Sequence, residues 1–156
     1  MRLSHLPLRL TTGAFLLSTG LSRRDLTAEA AQGAQSMAAA SDPQLGALPP
    51  ERSAKVLSTG EVALGAALLA PFVSPVVAGA GLAAFSGALL RTWWRTPGMH
   101  EEGSLKPTLQ GTAVAKDVWL LGTGLALVAD GLADGARRAA RRTGKKAAEV
   151  REALPV

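Results

Sequence analysis

The sequence predicts an all-α protein, a four-helix up-and-down transmembrane bundle followed by a basic cytoplasmic C-terminal helix. Three observations carry that expectation. Residues 54–94 hold one carboxylate, Glu61, and no other formal charge between Lys55 and Arg91. Their Gly, Ala and Leu content suits helices packed closely in lipid better than strands. Charges gather instead at 22–29, 91–106 and 137–151, whereas a soluble bundle scatters them along the outer face of every helix.

Composition alone does not decide the matter. At 156 residues the chain is one domain by length, and 47% hydrophobic with 19% charged residues also suits a soluble protein. The distribution is what points to a bilayer. The absence of cysteine excludes disulfides, thiolate metal sites and dithiol redox chemistry within this chain. Lys and Arg number 17 against 12 Asp and Glu, and seven of those cations fall in the last twenty residues. That placement suits anionic lipid and the positive-inside signal. No aromatic interleaving or fold motif points to nucleic acid, which is not expected as a partner.

The first helix is expected over 6–21. A cleaved secretory signal is the alternative, but Arg23 and Arg24 follow the apolar run where small neutral residues belong. Gly13 and Gly20 share one face of this helix, as close packing requires, and Arg9 is expected to snorkel toward the headgroups. Residues 22–53 are polar and Ala-rich, and read as an exposed connection with a surface helix over 27–40 as the alternative. The second and third helices are expected over 54–72 and 75–94. Pro71 ends the one and Pro75 begins the other, because proline stops a helix interior but suits a first turn. Gly79, Ala83 and Gly87 form a small-residue stripe on the third helix.

After Arg95 a Gly- and Pro-rich loop contains His100 beside Glu101 and Glu102. The helical zinc motif needs two histidines one turn apart, so this reads as a solvated histidine and no metal is expected. The fourth helix is expected over 114–132. Trp119 near its start and Trp93 and Trp94 at the end of the third then fall at one membrane face, as interfacial anchors do. The remaining residues, 133–156, form a basic tail interrupted at Gly144. Its cations Arg137, Arg138, Arg141, Arg142, Lys145 and Lys146 are expected to face lipid headgroups. Four crossings put both termini on one side, and the tail makes that side cytoplasmic.

An ionisable residue inside a span usually faces the bundle interior with a partner. Depth along the helices pairs Glu61 with Lys116, beside Asp117, in the outer half. The same reasoning pairs Arg9 with Asp130 near the inner face. Glu61 then either relays a proton or contacts a polar ligand, or it only fixes which helices adjoin.

Three segments resemble the DoxX-like group of small four-helix bacterial integral membrane proteins. They are the Gly-containing first helix RLTTGAFLLSTGLS, the Gly-Glu opening of STGEVALGAALLAP and the Lys-Asp of AKDVWLLGTGLAL. The resemblance covers about residues 6–132 and leaves the tail outside. It implies a bacterial cytoplasmic-membrane location and a link to redox or oxidative-stress complexes, with quinone as the implied cofactor. The positions matching the group's motifs are Glu61, Lys116 and Asp117, and no catalytic role is carried over to them. The expected function is a non-catalytic membrane subunit or anchor of such a complex, with a membrane or soluble redox partner. A small autonomous transporter or channel, assembling as a homo-oligomer, is the first alternative; neither inverted repeats nor broken helices are evident in the sequence. A structural anchor for a soluble partner is the second. No nucleotide loop, nucleophile elbow or cysteine motif supports independent catalysis.

Overall fold

The computed structural model describes residues 5–25, 28–41 and 47–153. Its regular structure is helical: α1 (Leu6–Ser22), α2 (Ala28–Ser41), α3 (Pro50–Leu69), α4 (Pro75–Arg95) and α5 (Val118–Ala153). A 3-10 turn, Arg23–Asp25, extends α1, and a single helical turn, Thr112–Ala115, precedes α5.

Local chemistry sets most of the boundaries. Pro7, Pro50 and Pro75 each occupy the first turn of a helix, where no backbone donor is needed. The Ser74 hydroxyl accepts from the Val76 amide at 3.3 Å and caps α4. Helix α3 begins at Pro50 rather than near residue 54, because the favourable proline start outweighs the polar character of its first turn. It ends at Leu69, before Pro71, and not at 72.

The expected break at Gly144 does not occur. Helix α5 runs 36 residues through Gly131, Gly135 and Gly144. A glycine costs only about 1 kcal/mol in a helix interior, and the Ala, Arg and Lys around these positions are strong helix formers. Helix α2 confirms a helix in the 22–53 segment, where an exposed connection was the favoured expectation. It packs against α3 and α4.

The long helices alternate in direction. Arg9 near the start of α1 meets the end of α3, and Ser58 in α3 donates to the Gly20 carbonyl near the end of α1 at 2.7 Å. Gly131 in α5 abuts Val76 at the start of α4. Leu16, Leu68, Ala78, Leu82 and Leu127 form one buried cluster drawn from α1, α3, α4 and α5.

The closest packing is within two hairpins, α1 on α3 and α4 on α5, and their contacts repeat. A Cβ added at Gly65 in α3 would lie 2.7 Å from the Leu17 nitrogen and 2.8 Å from the Gly13 oxygen. One added at Gly124 in α5 would lie 2.7 Å from the Ala83 nitrogen and 2.8 Å from the Gly79 oxygen. Only glycine permits this backbone approach at either place. The buried faces agree as well: Thr12, Gly13, Leu16 and Gly20 on α1 match Ala78, Gly79, Leu82 and Ser86 on α4 in spacing. The two hairpins are thus a repeat in the same orientation.

Two stretches, Pro75–Arg95 and Thr112–Lys146, are long and apolar enough to cross a membrane by length and composition. Buried positions include Arg9, Ser58, Glu61 and Ser86, while Phe15, Phe72, Val77, Trp119, Leu125 and Leu132 lie exposed.

Candidate functional site

Charge enters the interior at the end of the bundle where α1 finishes and α3 begins. Gly20 lets α3 come close enough that a Cβ there would lie 2.9 Å from the Glu61 Cβ. The 3-10 turn after α1 then directs Arg23 across, and its Nε sits 3.0 Å from Glu61 Oε2. The Glu61 side chain is 6% exposed and that of Arg23 is 39% exposed, so the pair runs from the interior to the surface. Asp117, just before α5, lies within electrostatic reach of both Glu61 and Arg23, and Lys116 acts on Asp117. The contact itself is between Arg23 and Glu61, with Asp117 acting on it electrostatically from the start of α5.

The expected partner of Glu61 was Lys116, and the structure gives it Arg23 instead. Asp117 acts on Glu61, and Lys116 on Asp117, only through space. The depth argument applied to Arg23 finds the correct partner, since the end of α1 and the first half of α3 lie at one level in an antiparallel pair. Reading Arg23 and Arg24 only as charges flanking a span hid that signal. Four residues before the contact glycine, α3 carries Glu61 and α5 carries Leu120, which packs against the apolar core. The shared hairpin contact therefore does not require a charge at that position.

At the opposite end Arg9 is 1% exposed and does not snorkel. Its Nε donates to Leu68 O at 2.7 Å, Nη1 to Val73 O at 3.0 Å, and Nη2 to Ala67 O and Ala70 O at 3.0 and 2.8 Å. The last carbonyls of a helix have no partner within it, and the planar guanidinium fork satisfies several at once. This is a clamp on the α3–α4 corner. It also explains why Arg9 does not meet Asp130, the partner expected from depth: carbonyls at the end of α3 saturate it. Asp130 Oδ2 lies instead 3.3 Å from Nε2 of the buried His5.

The three tryptophans do gather at one end, where α4 meets the 96–111 loop and α5 begins. Trp94 and Trp119 are exposed there. Trp93 is a correction: it is buried, and its Nε1 donates to Met99 O at 3.1 Å, so it holds the loop against α4. His100 lies in the loop, as expected, half-exposed and held by neighbours. Its ring stacks on Trp94 at 4.7 Å with 15° between planes, and its ring nitrogens lie 3.1 Å from Trp94 O and Glu101 O. Glu101 pairs with Lys106 at 2.7 Å across the loop.

In the tail, Arg137, Arg138, Arg141, Arg142, Lys145 and Lys146 are all exposed. Arg137 Nη1 lies 3.7 Å from Asp134 Oδ1, one turn earlier. Two clefts stand apart from the charged group: one of about 410 Å³ is lined by Gly33, Ser36, Thr96, Met99 and Gln110, and a smaller one by Asp134, Arg137, Arg138 and Arg141.

Comparison with family models, curated proteins and solved structures gives no match to this chain.

Proposed function

We propose that the chain is a DoxX-like integral membrane protein whose α1, α3, α4 and α5 cross the bilayer. In this reading it serves as a non-catalytic subunit of a membrane redox assembly. One observation carries the membrane part: beside the buried leucine cluster the interior also holds charge and hydroxyls, while large apolar side chains face outward. Arg9, Glu61, Ser58 and Ser86 are buried while Phe15, Phe72, Leu125 and Leu132 face outward. Only 28% of the apolar window of α4 and 11% of that in α5 are buried within the protein, which leaves most of both apolar surfaces facing outward and supports the membrane reading. Exposed hydrocarbon of this kind is favourable against lipid, and it costs roughly 25 cal/mol per Å² against water.

The redox part rests on the resemblance together with the charged group. A buried carboxylate in a span is costly, and its hairpin counterpart is a leucine, so Glu61 has a role beyond packing. The role it fits is to hold a proton or a hydrogen-bonding group of a partner against the Arg23 guanidinium, at the end of the bundle. The quinone implied by the resemblance fits less well. Neither of the two described clefts opens beside Glu61, and no step is assigned to that cofactor. The unbroken α1, α3, α4 and α5 favour a subunit over a transporter, which commonly binds substrate at broken helices.

Purification of the tagged chain from membranes in mild detergent tests the reading. A co-purifying dehydrogenase or cytochrome subunit, lost in Glu61→Leu but not in a surface variant, is the expected result. A homo-oligomer with no second component in wild type would remove the subunit assignment.

A further inference from the structure

At the end of the bundle where α1 begins, one buried ionisable side chain has no role in the proposed function. His5 is 2% exposed, and its Nε2 lies 3.3 Å from Oδ2 of Asp130 on α5. We propose that His5 and Asp130 form a proton-operated latch that holds the first hairpin to the second. The inference rests on how the hairpins pack and not on the redox assignment.

Each hairpin is closed by its own helix contacts, α1 on α3 and α4 on α5, and the two adjoin through α3 and α4. Helices α1 and α5 approach each other less closely, and His5–Asp130 bridges the seam between them. Among the described residues it is the ion pair that joins one hairpin to the other. Arg23–Glu61 lies within the first hairpin, Arg137–Asp134 within α5 and Lys106–Glu101 within a loop.

Geometry makes the latch depend on charge. Neither ring nitrogen of His5 is aligned for a hydrogen bond, to Asp130 or to another described group. A neutral imidazole gains little at 3.3 Å without that alignment, whereas an imidazolium attracts the carboxylate through space. Imidazole is also the side chain whose charge changes between about pH 5 and pH 8. A buried charge is unfavourable without its partner, so binding the proton and closing the seam are coupled. Closure is therefore favoured at low pH and lost as pH rises.

The other charges at this end are already engaged. Arg9, one turn on along α1, is held by carbonyls at the α3–α4 corner. Asp134, one turn on along α5, lies 3.7 Å from Arg137. The corner itself adds nothing ionisable between Glu61 and Arg91. Asp130 is left as the counter-charge that meets a proton on His5.

The test measures distances between spin labels on the full chain in nanodiscs. Because the chain lacks cysteine, Leu8→Cys with Leu132→Cys puts one label on each side of the seam, both at exposed positions. A second pair, Leu8→Cys with Phe72→Cys, spans the first hairpin and its corner instead. From about pH 5.5 to about pH 8 the share of the longer separation in the first pair should grow roughly three- to fivefold, with the second pair unchanged. That response should vanish in His5→Gln and in Asp130→Asn. A first-pair distribution identical at both pH values, or a response that persists in Asp130→Asn, would overturn the latch. Asp130 is more than half exposed, so its variant decides the matter even where His5→Gln does not fold.

Discussion

Arg9 and Arg23 are both arginines next to apolar helices, yet they do different work. Arg9 is consumed by backbone carbonyls at the α3–α4 corner, and Arg23 by the Glu61 carboxylate. Removing Arg9 takes the donor from the carbonyls of Ala67, Leu68 and Val73, while Ala70 O still accepts from the Val73 amide at 3.3 Å. We expect Arg9→Ala to lower stability by about 3 kcal/mol or more, with Arg9→Lys recovering only part, since an ammonium cannot span the fork. Thermal unfolding in detergent measures this. Glu61→Leu alone strands a guanidinium and should cost about 1–3 kcal/mol, less than a fully buried pair because Arg23 is partly solvated. The double change Arg23→Leu with Glu61→Leu should restore wild-type stability, as Leu120 already serves the second hairpin. A double variant as unstable as the single would show that the fold itself needs the pair.

Helices and their contacts were legible in the sequence to different depths. Prolines 71 and 75 marked the corner, and glycines 13 and 79 marked close-packed faces, because both residue types act through local backbone geometry. The partners of those glycines, Gly65 and Gly124, emerge only when the hairpins are assembled. The extent of α5 was hidden for the opposite reason: a glycine lowers helix propensity only slightly, so Gly135 and Gly144 mark no boundary by themselves. Two substitutions separate these roles. Gly65→Ala forces a methyl onto backbone atoms and should destabilise by about 1–3 kcal/mol. Gly144→Ala meets nothing within 4 Å and should raise the helicity of the distal segment, worth about 1 kcal/mol locally. Circular dichroism and thermal melts of the two variants should therefore move in opposite directions.

At the scale of the molecule, two like hairpins share one apolar cluster and differ where charge is admitted. The charged group around Glu61 lies at one end, and Arg9 and His5 at the other. The sequence disclosed which residues carry unusual charge, but not how they pair. Pairing depends on where α1 ends relative to α3, and on which carbonyls claim a guanidinium first. The account as a whole depends on hydrocarbon surrounding Phe15, Phe72, Leu125 and Leu132. Its most direct test is high-speed centrifugation of a detergent-free lysate, followed by an alkaline carbonate wash of the pellet. The account predicts that the chain stays in the washed membrane pellet. A folded, monodisperse, helical chain in the supernatant would contradict it.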